Sequence, residues 1–86
     1  MHLTLLVRSY CHLCDEMLDE LRPLIGTAPL EVLDVDDPDH AGLEAQFGDA
    51  VPVLFAGAPA APNELCRYRL DPERVAAALA ADRGIR

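Results

Sequence analysis

The residues of this chain best suited to chemistry are two thiols in Cys11-His12-Leu13-Cys14. Cysteines spaced this way on the first turn of a helix can close a disulfide with little backbone movement. A helix N-terminus carries partial positive charge, which favours a thiolate on the first of the pair. A C-x-x-C that follows an apolar strand and opens a helix therefore points to dithiol–disulfide redox chemistry. In that chemistry Cys11 is the nucleophile, and Cys14, one helical turn deeper, resolves the mixed disulfide. A second reading uses the same thiolates as half of a zinc or iron–sulfur site. A closed site then needs two further ligands, from Cys66, a histidine, glutathione or a second chain. The sequence holds no second C-x-x-C to supply them. A third reading makes the thiols incidental to an interaction domain.

The neighbours of the motif carry charge and aromatic surface. Arg8 is placed to stabilise a thiolate or attract a substrate carboxylate; its plainer role is an exposed loop charge. His12 lies inside the motif, where a charged imidazole would tune the couple, or where it serves as an exposed spacer. Tyr10 is a candidate for the rim that docks partners, or for local packing. Asp15 and Glu16 suit a helix N-terminus but repel a thiolate. The third cysteine, Cys66, reads as a small buried hydrophobe, with no spacing that supports a redox or metal role. Arg67, Arg69 and Arg74 read as a solvated face, and His2 and His40 have no evident partner.

Composition narrows the setting. With 86 residues the chain is expected to form one domain, 1–86. Net charge is −8 and every cation is Arg, which argues against nucleic acid and anionic membranes as partners. Three cysteines make no disulfide framework, and the apolar start Leu3-Thr4-Leu5-Leu6-Val7 lacks a basic leader and a cleavage site. That run is strand-length, far short of the roughly 20 residues of a membrane span. The expectation is a reducing, cytoplasmic setting, where a C-x-x-C is catalytic or metal-binding more often than structural.

The elements that must position the motif follow from hydrophobic period and turn signals. Leu3 to Val7 reads as a buried strand. A helix follows from His12, with Leu13, Met17, Leu18 and Leu21 on one face, and Pro23 predicts its end or bend near Arg22. Leu30 to Asp36 reads as a second strand, with Leu30, Val32 and Val35 as its candidates for burial. Asp37-Pro38 pairs an N-cap with a proline at the first helical position. The short helix that follows turns Leu43 and Phe47 inward and ends at Gly48. Val51 to Phe55 is a third strand. Glu64 to Leu70 alternates as a fourth, with Cys66, Tyr68 and Leu70 on one side and Leu65, Arg67 and Arg69 on the other. Asp71-Pro72 opens a last helix that buries Val75 and Leu79, with Gly84 as its stop. The order β-α-β-α-β-β-α calls for a parallel pair joined by a right-handed crossover, then a hairpin covered by a helix. One small mixed sheet with helices on both faces accommodates all of it.

At this point the chain resembles the thioredoxin fold and, within it, the glutaredoxins. The C-x-x-C follows the first strand, Arg8 stands three residues before Cys11, and Val51-Pro52 precedes the third strand. The resemblance is closest to small glutaredoxin-like proteins with a C-x-L-C-[DE] motif, here Cys11-His12-Leu13-Cys14-Asp15. It implies a three-layer α/β/α fold with a four-stranded mixed sheet, strand order 4-3-1-2, strand 3 antiparallel to the rest. It also implies a cis Val51–Pro52 bond, with the Val51 backbone pairing with an extended substrate. The implied activity is thiol–disulfide exchange on a disulfide-containing protein or small thiol, by a monomer without a tightly bound cofactor. Two features depart from the family: His12-Leu13 stands between the cysteines in place of Pro-Tyr, and Arg69-Leu70-Asp71-Pro72 replaces a Gly-Gly and acidic pair before the last helix. The missing glycines turn the expected electron donor from glutathione towards a thioredoxin-reductase-type flavoprotein or a donor of another kind.

Overall fold

The computed structural model describes residues 2–82. The order is β1 (Leu3–Val7), α1 (His12–Ile25), β2 (Leu30–Asp34), α2 (Ala41–Phe47), β3 (Val53–Ala56), β4 (Glu64–Arg67) and α3 (Pro72–Asp82). Short 3-10 turns precede α2 at Pro38–His40, follow it at Gly48–Ala50, and lead into β4 at Ala61–Asn63. The four strands form one sheet in the order β2-β1-β3-β4, the expected 4-3-1-2 read from its other edge. β1 runs parallel to β2, and β3 runs antiparallel to both β1 and β4.

Alternation along the central strands divides the core between the two faces. Leu3, Leu5 and Leu54 join Met17 and Leu21 of α1 and Val75 of α3 on one face. Leu6, Val53 and Phe55 join Phe47 of α2 and Val35 on the other. The Phe47 and Phe55 rings meet edge-on at 5.1 Å. Each fully buried Leu or Phe contributes roughly 1.5–3 kcal/mol, so β1 and β3 anchor the sheet. Thr4, the buried polar side chain of β1, donates its hydroxyl to the Gly57 carbonyl at 2.7 Å.

Several expected boundaries shift, each for a physical reason. α1 runs through Pro23 to Ile25, because Leu21 and Ile25 are both buried and packing holds the last turn despite the missing donor. β2 stops at Asp34, and as an edge strand it leaves Val32 42% exposed, while Val35 just beyond it is buried. Asp37 does cap a turn, accepting from the Asp39 N–H, but that turn is the 3-10 segment, and α2 starts only at Ala41. α2 ends as expected with Gly48 as its C-cap, and the φ of −54° there lets the chain continue into a further 3-10 turn. β3 begins at Val53 rather than Val51. β4 ends at Arg67, and a register shift where Leu54 and Phe55 meet it replaces simple alternation. Leu65 and Cys66 consequently both pack towards the α1/α3 face, rather than on opposite sides. Asp71 caps α3 by accepting from the Arg74 N–H at 3.2 Å, and Val75 and Leu79 are buried as expected. Gly84 lies outside the described residues. Among those residues, no helix is long and apolar enough to cross a membrane.

Candidate functional site

Antiparallel pairing places three separate segments at one end of the sheet. Leu6 pairs with Val53, and Val53 with Arg67. The end of β1, the start of β3 and the end of β4 therefore coincide. From them depart the loop to Cys11, the segment ending in Val51-Pro52, and the turn at Tyr68.

Cys11 is the N-cap of α1, with extended backbone dihedrals of φ −100° and ψ 104°. Its Sγ accepts the backbone N–H of Cys14 at 3.1 Å, and its carbonyl accepts from the Asp15 N–H at 3.2 Å. Cys11 and Cys14 are joined as a disulfide, with Cα atoms 5.1 Å apart, inside the span such bonds occupy. The two sulfurs differ in access. Cys11 is partly exposed, whereas Cys14 is only 3% exposed, packed beneath the first turn. An N-cap sulfur that receives a helix N–H is placed where a thiolate is favoured.

The Arg8 guanidinium is held by residues in and around α2. Nε and Nη2 grip both oxygens of Asp36 at 3.1 and 3.0 Å; Nη2 also reaches Glu44 at 3.2 Å, and Nη1 the Gly48 carbonyl at 3.3 Å. The Asp36 hydrogen bonds, then the Glu44 contacts, raise the Arg8 pKa further. Four of its five N–H donors are thereby committed to residues around α2. His12 is exposed and lies 3.5 Å from Glu16, one helical turn on. Tyr10 is fully exposed and adopts a positive φ of 59°, which is uncommon for a residue with a Cβ.

Val51 is extended and half-buried, Pro52 is buried, and the bond between them is cis. The segment carrying them is held from both sides. Arg8 takes the Gly48 carbonyl, while Tyr68 donates its backbone N–H to the Pro52 carbonyl at 2.8 Å and its hydroxyl to the Asp49 carbonyl at 3.3 Å. Gly48 is tightly fitted there, since a Cβ would stand 2.9 Å from the Glu44 carboxylate. Tyr68 is a residue that alternation alone assigned no role. Its signal is a positive φ of 67° and bonds to residues 16 to 19 positions away, which no local pattern reveals.

A groove of about 160 Å³ runs beside the motif, between Leu13, Glu16, Met17 and Glu20 of α1 and the Tyr68-Arg69-Leu70 turn. Cys66 lies apart from the disulfide, half-buried on β4, and burial pushes its thiol pKa up. Arg67 is held by Glu64 and Arg74 reaches the Glu64 carbonyl, while the His40 ring meets the Asp34 carbonyl. Among the described residues, no three His, Cys, Asp or Glu side chains are gathered as a metal-ligand set.

Comparison with known proteins agrees with this geometry. No curated protein matches the chain. Among solved structures, protein Ne2328 from Nitrosomonas europaea is 39% identical with a TM-score of 0.68, covering 88% of this chain and 87% of its own. Target protein XcR50 from X. campestris is 32% identical with a TM-score of 0.65, covering 92% and 96%. Thioredoxin 1 from Thermosipho africanus TCF52B, at 15% identity and a TM-score of 0.62 over 96% and 99%, shares the fold. A family model described as Glutaredoxin-like domain (DUF836) matches residues 2–80. The chain therefore belongs to the glutaredoxin-like domain family, built on a thioredoxin-like fold.

Proposed function

We propose that the protein is a thiol–disulfide oxidoreductase that cycles Cys11 and Cys14 between dithiol and disulfide. The observation that carries this is the asymmetric pair: an accessible N-cap Cys11 bonded to a buried Cys14. In the reducing direction the Cys11 thiolate attacks one sulfur of a substrate disulfide. A Cys11–substrate bond forms, the substrate S–S bond breaks, and the other sulfur leaves as a thiolate. Cys14, its proton lost to solvent, then attacks Cys11 and expels the second substrate thiolate. Two electrons pass from the dithiol to the substrate, and the released thiolates take up protons. The backbone of Val51 offers an extended substrate a pairing edge, with Pro52 beside it lacking an N–H of its own.

A two-electron thiol donor restores the dithiol. Glutathione and a flavoprotein reductase are candidates, and the Arg69-Leu70-Asp71-Pro72 stretch favours the reductase or a donor of another kind over glutathione. A reducing, cytoplasmic setting suits that cycle. Replacing Cys11 tests the assignment: Cys11→Ser is expected to lower the rate of insulin disulfide reduction, with dithiothreitol as donor, at least about 100-fold. An unchanged rate would overturn the reading.

A further inference from the structure

Both non-glycine residues with positive φ among the described residues are tyrosines at this end of the sheet, Tyr10 and Tyr68. Tyr68 sits at the centre of a γ-turn: the Arg69 N–H bonds the Arg67 carbonyl at 2.7 Å around a φ of 67°. A γ-turn of that hand is rare and strained for a residue with a Cβ. The Tyr68 N–H meets the Pro52 carbonyl where the β3–β4 ladder continues, and its hydroxyl meets the Asp49 carbonyl. Tyr68, 46% exposed, also lines the groove beside Leu13, one of the two residues between the motif thiols.

The groove itself points to one kind of occupant. Its volume of about 160 Å³ is below the roughly 300–1,000 Å³ of pockets that enclose a whole small ligand. It has room for a single side chain of something larger. Leu13, Met17 and Leu70 line it together with Glu16, Glu20 and Arg69, so its surface is more polar than apolar. A polypeptide lying along Val51 would place a side chain there.

We propose that Tyr68 is a positioning residue for disulfide exchange at Cys11. Its two hydrogen bonds hold the Val51–Pro52 segment, and it lines the groove that receives a side chain of a polypeptide disulfide. This role rests on the oxidoreductase reading above. It separates large from small substrates, because hydroxyethyl disulfide needs Cys11 but has no side chain to seat in the groove.

Two variants test it. Tyr68→Gly keeps the backbone donor and suits a positive φ, so the variant is expected to melt no lower than wild type. Its kcat/KM on insulin is expected to fall about tenfold, through KM, as a misplaced substrate segment requires. Its loss on hydroxyethyl disulfide should be several-fold smaller than its loss on insulin, and its Cys11 thiolate absorbance titration should match wild type. Tyr68→Phe retains the ring and loses one exposed hydrogen bond, for an expected loss on insulin of about threefold. Equal losses on both disulfides, or insulin reduction unchanged in Tyr68→Gly, would overturn the role. A wild-type protein inert towards both disulfides would instead remove the oxidoreductase reading itself.

Discussion

The three thiols of this chain occupy different environments, and reactivity should follow them. Cys11 caps a helix and is partly exposed, Cys14 is packed beneath it, and Cys66 is half-buried on a strand, where burial disfavours its thiolate. A backbone hydrogen bond from Asp71 offsets that only in part. In the fully reduced protein at neutral pH, iodoacetamide is expected to modify Cys11 at least about tenfold faster than Cys66, because the thiolate is the reacting species. Peptide mass mapping of a time course checks this, and comparable rates would contradict it. Raising the pH towards the ordinary thiol value of 9.0 should narrow the gap. The cysteines were legible in the sequence because their spacing and their strand-to-helix setting are local. The partners of Arg8 were not. Its hydrogen bonds reach Asp36, Glu44 and Gly48, 28 to 40 positions along the chain, which no local pattern reveals.

Individual elements show where packing overrides local signals. Pro23 ought to stop α1, yet the buried Leu21 and Ile25 carry the helix past it. The alternation of residues 64 to 70 reads as one long strand. The register shift opposite Leu54 and Phe55, and the turn at Tyr68, break it after four residues. Both depend on contacts between strands, so no local period could show them. What secures the short β4 on its exposed side is the Glu64–Arg67 pair, two hydrogen bonds of 2.6 Å each. Those bonds hold the Glu64 carboxyl below its ordinary value of 4.5, partly opposed by desolvation. A carboxyl depressed on folding adds stability above its unfolded pKa and loses it as the pH falls through the folded one. Wild type should therefore lose more thermal stability than Glu64→Gln as acid is added below about pH 5. The pair is largely open to water, so the difference is small. Melting curves of both proteins from neutral to acid pH measure it, and parallel curves would show that the pair contributes nothing.

At the level of the whole molecule, the sheet order makes the site. β1 lies between β2 and β3, and β3 runs against it, so the exits of β1 and β4 meet the entry of β3 at one end. The motif cysteines, the Val51–Pro52 segment and Tyr68 converge although 57 residues separate Cys11 from Tyr68. The order of elements and the central strands could be read from the sequence, since each follows a local apolar period. The clamp on residues 48 to 52 could not, since it forms only when three strands assemble. The chain carries a net charge of −8, and the thin stability of a chain this small rests on two buried clusters, one on each face of the sheet. The central claim is that Cys11 attacks and Cys14 resolves. Mass mapping of the reduced Cys14→Ser and Cys11→Ser proteins after exposure to hydroxyethyl disulfide tests it most directly. Cys14→Ser should retain a stable mercaptoethanol adduct on Cys11, while Cys11→Ser should leave the buried Cys14 unmodified over the same time. Adduct on Cys14 forming as readily, or none on Cys11, would contradict the assignment.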